Sequence, residues 1–149
     1  MELPSLEAEI RSDNKKVTYW LLFHEDRKKD YMLRRDYAVI NCSTVSDSLT
    51  SSEMLDISEE EKWIELIEEV ERRLSWKMKI FLCLRREYRD MTGRKGWTAA
   101  AQWKYAQKVA DYLGKEQEDV YVDRFTFNNW WSRIVEYTAR LAAKRGLLS

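Results

Sequence analysis

The 149-residue sequence predicts an all-α fold: a helical bundle with an N-terminal helix and a C-terminal helix-turn-helix-like pair. Three observations carry that reading. Four Gly and a single Pro leave few of the breaks that β-rich folds need for their turns. Apolar residues recur at helical spacing in successive stretches, and Ser, Thr and Gly stand where helices begin and end. Seven Trp, eight Tyr and four Phe supply large apolar bodies for a core. A chain of this length suits one domain, or a domain with an appendage, and buries roughly 68–70% of its unfolded surface.

Residues 1 to 13 are polar and contain Pro4. The first helix is expected over about residues 15 to 40, with Val17, Leu21, Tyr31 and Ala38 on one buried face and Leu22, Phe23, Leu33 and Tyr37 on an adjoining one. Residues 41 to 52 are rich in Ser and Thr, which compete with helix hydrogen bonds, so the linker is placed there. The chain accordingly divides into 1–57, an N-terminal helix with its linker, and 58–149, a helical domain.

Ser58 followed by Glu61 forms a capping box, with Glu59, Glu60 and Glu61 in the first turn where the helix dipole favours anions. Trp63, Ile64, Ile67, Val70 and Leu74 keep helical spacing after it. Trp76, Ile80, Phe81, Leu84 and Tyr88 either continue that helix or restart one after Ser75, stopping near Gly93. Residues 92 to 96 read as a short basic loop. Thr98 is expected to cap a helix that turns Trp103, Ala106, Val109, Ala110 and Leu113 inward and stops at Gly114 in the left-handed conformation. Residues 115 to 124 form a loop with a candidate extended piece at 120–122. Thr126 is expected to cap the last helix, which runs to about Arg145 and closes at Gly146.

Charge is sorted along the chain although the formal total is zero. Residues 1–71 hold nine Lys/Arg against eighteen Asp/Glu, and residues 72–149 hold seventeen against eight. A basic C-terminal half attracts polyanions, and nucleic acid is the first partner to consider. On a helical wheel Phe127, Trp130, Trp131, Ile134, Tyr137 and Leu141 fall within an arc of about 120°, a core-facing stripe. Asn128, Asn129, Ser132, Arg133, Glu136, Arg140 and Lys144 fall opposite. Asn pairs with adenine edges and Arg with guanine edges, so Asn128, Asn129, Ser132 and Arg133 are the candidate base contacts. Arg85, Arg86, Arg89, Arg94, Lys95, Arg140 and Lys144 are the candidate phosphate contacts. An amphipathic surface helix and a solvated helix end would show the same residues. The connection from Gly114 to Phe125 is longer than the three or four residues of a standard turn, so an elaborated form of the motif is required.

The order of parts resembles phage late-gene transcriptional activators of the RinA and ArpU type, whose DNA-binding region is sigma-factor-like. The features in common are the aromatic and basic first helix (Tyr19 to Tyr37), the Ser/Thr linker, the acidic helix (Glu59 to Leu74), the Arg-rich stretch Leu84 to Arg89 and the terminal Phe125 to Tyr137. The long 114–125 loop and the abundance of Trp depart from the family. The resemblance implies a sequence-specific regulator of phage or prophage origin that docks a recognition helix, opening around Thr126 to Arg133, on double-stranded DNA. RNA polymerase is then a candidate partner and the N-terminal helix a candidate for homo-oligomer assembly. The acidic helix would either mask the basic half or face polymerase.

Other chemistries lack their residues. His24 is the one His, and Cys42 and Cys83 lie far apart, so no metal or other cofactor is expected. No P-loop, dinucleotide fingerprint or nucleophile elbow occurs. Glu61, Glu65, Glu68 and Glu69 share a helix face without basic partner chemistry, and an enzyme is not expected. The longest early apolar run, 20–23, is too short to span a bilayer, and unstapled thiols suit a cytoplasmic location. Two alternatives stand beside the regulator. One is a small DNA-recognition subunit of a phage packaging machine, or an RNA or single-strand binder that stacks bases on Trp97, Trp103 or Trp131. The other is a protein-interaction module whose opposite poles join head to tail.

Overall fold

Helices form wherever the apolar spacing is helical, and the computed structural model, which describes residues 5–42, 51–91 and 96–148, contains six of them. They are α1 (Leu6–Cys42), α2 (Ser51–Arg73), α3 (Trp76–Glu87), α4 (Gly96–Leu113), α5 (Gln117–Val120) and α6 (Arg124–Lys144). No strand occurs among the described residues, and the all-α expectation holds. Two compact units result: Met1–Val70 with Thr138–Ser149, and Glu71–Tyr137. They divide inside α2, whereas the sequence places a boundary at 57/58. Of the Ser/Thr-rich segment, residues 43–50 lie outside the described residues, Asn41 and Cys42 end α1, and Ser51 and Ser52 open α2.

In the first unit α1 starts earlier than its apolar spacing indicates, because Ser5 Oγ caps it by accepting the Ala8 N–H at 3.2 Å. The helix bends at Phe23, whose φ of −110° and ψ of 17° leave the helical region. Val17, Trp20, Leu21, Leu22 and Tyr31 of α1 are buried, as are Trp63, Ile64, Leu66, Ile67 and Val70 of α2. The Trp20 and Trp63 rings stack with centroids 5.6 Å apart and planes within 2°. Each such ring pair adds about 0.5–1.5 kcal/mol beyond the area it buries. The second expected face of α1 is only half realised, since Leu33 and Tyr37 are 71% and 72% exposed.

Ser58 is not a cap. α2 is already helical from Ser51, so Glu59, Glu60 and Glu61 sit in its interior and the dipole argument for them lapses. Good helix formers at 53–55 outweigh a local capping signal. The α2 carboxylates meet α1 instead: Glu59 pairs with Lys16 at 3.4 Å, Glu60 with Arg27 at 2.6 Å and with Arg34, and Glu68 with Lys28 at 2.6 Å. Glu69 pairs with Arg145. Much of the acidic face is thus neutralised inside its own unit. His24 is buried beside the α1 bend with Nε2 3.6 Å from Glu68.

In the second unit Ser75 caps α3 by accepting the Met78 N–H at 3.3 Å, so the chain restarts a helix there. Phe81 of α3, Tyr105 of α4 and Phe127 of α6 are fully or almost fully buried and meet edge to face. Trp130 closes the cluster at 5.6 Å from Phe81 and 5.7 Å from Tyr105. Gly114, at φ +65°, ends α4 as expected. Two expectations for α4 fail. Thr98 lies buried inside the first turn, because the helix opens at Gly96, and Trp103 points outward at 59% exposure. Ala106, Val109 and Ala110 are buried as expected.

Candidate nucleic-acid interface

The expected recognition helix is α6, and its first turn is fixed by Asp123 rather than Thr126. Asp123 Oδ1 accepts the Thr126 N–H at 2.7 Å, and hydrogen bonds from the Thr126 backbone and side chain hold the exposed carboxyl below its usual range. At the other end Gly146, at φ +72°, lets the Leu147 N–H reach the Ala142 carbonyl at 2.9 Å.

Burial along α6 follows the helical period. Phe127 and Ile134 are buried and Trp130, Trp131, Tyr137 and Leu141 half-buried, while Asn128, Asn129, Ser132, Arg133 and Glu136 are exposed. The four base-contact candidates therefore share one solvent-facing arc of about 140° and span about 7.5 Å of helix rise. The aromatic cluster beneath them fixes their backbone. Arg140 and Lys144 are exposed too, on the part of α6 that belongs to the other compact unit.

The connection ahead of α6, residues 114–123, contains no strand. It contains the short α5, and its return is pinned by Gln102, whose amide donates to Tyr121 OH and to the Val122 carbonyl at 3.0 Å each. Tyr121 itself has extended backbone, so the expected extended piece reduces to the residues after α5.

The phosphate candidates fare unevenly. Arg85 is only 9% exposed, with its guanidinium 4.5 Å from the Trp97 ring and 4.8 Å from the Trp131 ring. Its Nε and Nη1 have no acceptor among the described residues, and burial lowers its pKa to about 10. It joins α3, α4 and α6 and offers no contact to an outside phosphate. Arg86 is paired with Glu71 and its side chain is 13% exposed, so it too is withdrawn. Arg89 is half-buried. Arg94 and Lys95 lie outside the described residues. With Trp97 and Trp131 engaged by Arg85, Trp103 is the one exposed member of the three rings proposed for base stacking.

The sandwich was not legible in the sequence. Arg85, Trp97 and Trp131 are far apart in the chain, and only the adjacent Leu84 core position hints that a neighbour is covered. No group of His, Cys, Asp and Glu among the described residues could hold a metal ion. No helix is long and apolar enough to cross a membrane among those residues. No protein-family model, no curated protein and no solved structure matches the chain.

Proposed function

We propose that this chain is a sequence-specific binder of double-stranded DNA that reads base edges with the N-terminal turns of α6 and acts as a transcriptional regulator. The observation that carries the reading is the exposed arc of Asn128, Asn129, Ser132 and Arg133, set on a helix whose other side is locked into an aromatic core. Paired donor and acceptor groups at the start of a buried-backed helix are what major-groove readout requires. The regulatory role, a phage origin and RNA polymerase as a partner rest on the layout resemblance to late-gene activators.

Selection of bound duplexes from a random library, repeated at two salt concentrations, tests the reading. With Arg85 and Arg86 withdrawn, five phosphate candidates remain as an upper limit. Log affinity should then fall against log salt with a slope no steeper than about −4.5. A recovered consensus with a negative slope supports the proposal. Recovery of unrelated sequences, or a flat salt response, removes it.

A further inference from the structure

Between α4 and α5, inside one compact unit, lies a cleft of about 390 Å³, a volume in the range of small-ligand pockets. Ala99 and Ala106 line it together with Trp103 and Tyr121, and each of these two aromatic residues is 59% exposed. Gln102 lines it too and spends both amide hydrogens, one on Tyr121 OH and one on the Val122 carbonyl. Those two bonds hold Tyr121 in place, so the cleft is formed before anything enters it.

The lining selects a cation that carries N–H donors. A carbonyl only accepts, so the bond to Val122 fixes which way the Gln102 amide points and leaves it Oε1, an acceptor, to offer. Glu118 is the one charged residue of the lining, and it makes no ion pair among the described residues. Its carboxylate repels phosphates and other anions. Aromatic faces attract cations, and elsewhere the chain supplies them itself: Lys16 stands over Trp63, Arg27 over Trp20 and Lys77 over Trp76. No cation of the chain stands over Trp103 or Tyr121 among the described residues.

The same compact unit shows which cation two such rings accept. Arg85 lies with its guanidinium 4.5 Å from the Trp97 ring and 4.8 Å from the Trp131 ring. A guanidinium is planar, stacks on aromatic faces and presents five donors in a fork, whereas the ammonium of Lys is compact and more strongly hydrated. A quaternary ammonium has no N–H for Glu118 or Gln102 Oε1 to accept.

We propose that the α4–α5 cleft is a binding site for a guanidinium group, stacked on Trp103 and Tyr121 and donating to the Glu118 carboxylate and to Gln102 Oε1. The group comes from a free guanidino compound or from an arginine side chain of another polypeptide, with the same recognition in either case. The site is independent of duplex reading by α6.

Titration of the full chain with agmatine and with N-acetyl-arginine N-methylamide, followed by the amide resonances of Gln102, Glu118 and Tyr121, gives the test. Saturable shifts with a Kd of about 0.1–1 mM are expected. Blocked arginine binding as tightly as agmatine assigns the group to a polypeptide, and binding of agmatine alone assigns it to a small molecule. N-acetyl-lysine N-methylamide and tetramethylammonium should bind about tenfold more weakly than the better guanidinium ligand. Glu118→Gln and Trp103→Ala, both at exposed positions, should each weaken that ligand about tenfold while helical content by circular dichroism stays that of the native chain. Absence of saturable shifts at about 10 mM of either guanidinium ligand would overturn the proposal, as would lysine or tetramethylammonium binding as tightly, or affinity untouched by both substitutions. So would oligothymidylate that saturates the same resonances at lower concentration, which would assign the cleft to bases.

Discussion

Replacing Arg85 by Met should change the stability of the second unit by no more than about 1 kcal/mol, while Arg85→Ala should cost about 2–4 kcal/mol. Two opposing effects nearly cancel in the native side chain. Burial lowers the Arg85 pKa to about 10. At about 1.4 kcal/mol per tenfold change in proton affinity, that burial disfavours the charged form by about 3 kcal/mol. The Trp97 and Trp131 faces return about 2 kcal/mol each to a cation held between them away from water. Met keeps the length of the side chain and places sulfur between the same two rings, a contact worth about 0.3–1.5 kcal/mol. Ala leaves the slot empty. Urea unfolding with tryptophan fluorescence measures both variants, provided the slope stays constant. If Met proves as costly as Ala, the guanidinium has a polar partner that offsets its burial and the reasoning is wrong. An Ala variant as stable as the native chain would mean the indoles do not grip it.

Two further outcomes follow from the helix ends. Asp123 has a folded pKa below its unfolded value, so its contribution to α6 should be complete above about pH 4 and drain away as pH falls through the folded value; Asp123→Ala should remove that dependence from amide-exchange rates at 124–128. Gly114 stands at φ +65° with no atom within 4 Å of an added Cβ. Gly114→Ala should therefore cost about 1–2 kcal/mol through backbone strain alone, seen as a lowered melting temperature, and an unchanged value would show that α4 can end another way.

Periodicity made much of this fold legible in advance. The stripes at 63–70 and along α6 and the stops at Gly114 and Gly146 follow from local spacing and local caps, while the choice between continuing α2 and restarting after Ser75 stayed open until the Ser75 cap decided it. Caps that competed with stronger signals did not follow. Ser58 matched a capping box, yet the residues before it favour helix enough for α2 to begin at Ser51, and Asp123 took the role assigned to Thr126 because its carboxylate sits three residues ahead of that N–H. The inward or outward sense of single aromatic residues was also illegible where helical arcs are broad. Trp103, Leu33 and Tyr37 lie at plausible core positions and are exposed. The arginine stretch misled for a different reason. Clustered charge says nothing of tertiary pairing, and Arg85 and Arg86 are claimed by two indoles and by Glu71.

Base reading by the exposed arc of α6 is tested by base-by-base discrimination with the native chain, Asn129→Ala and Arg133→Ala. Each protein would be titrated against the selected duplex and its single-base variants at one fixed salt concentration. Each substitution should erase about 1–3 kcal/mol of preference at its own base position and leave the others intact. Equal weakening on every sequence would contradict it, reducing Asn129 and Arg133 to backbone contacts.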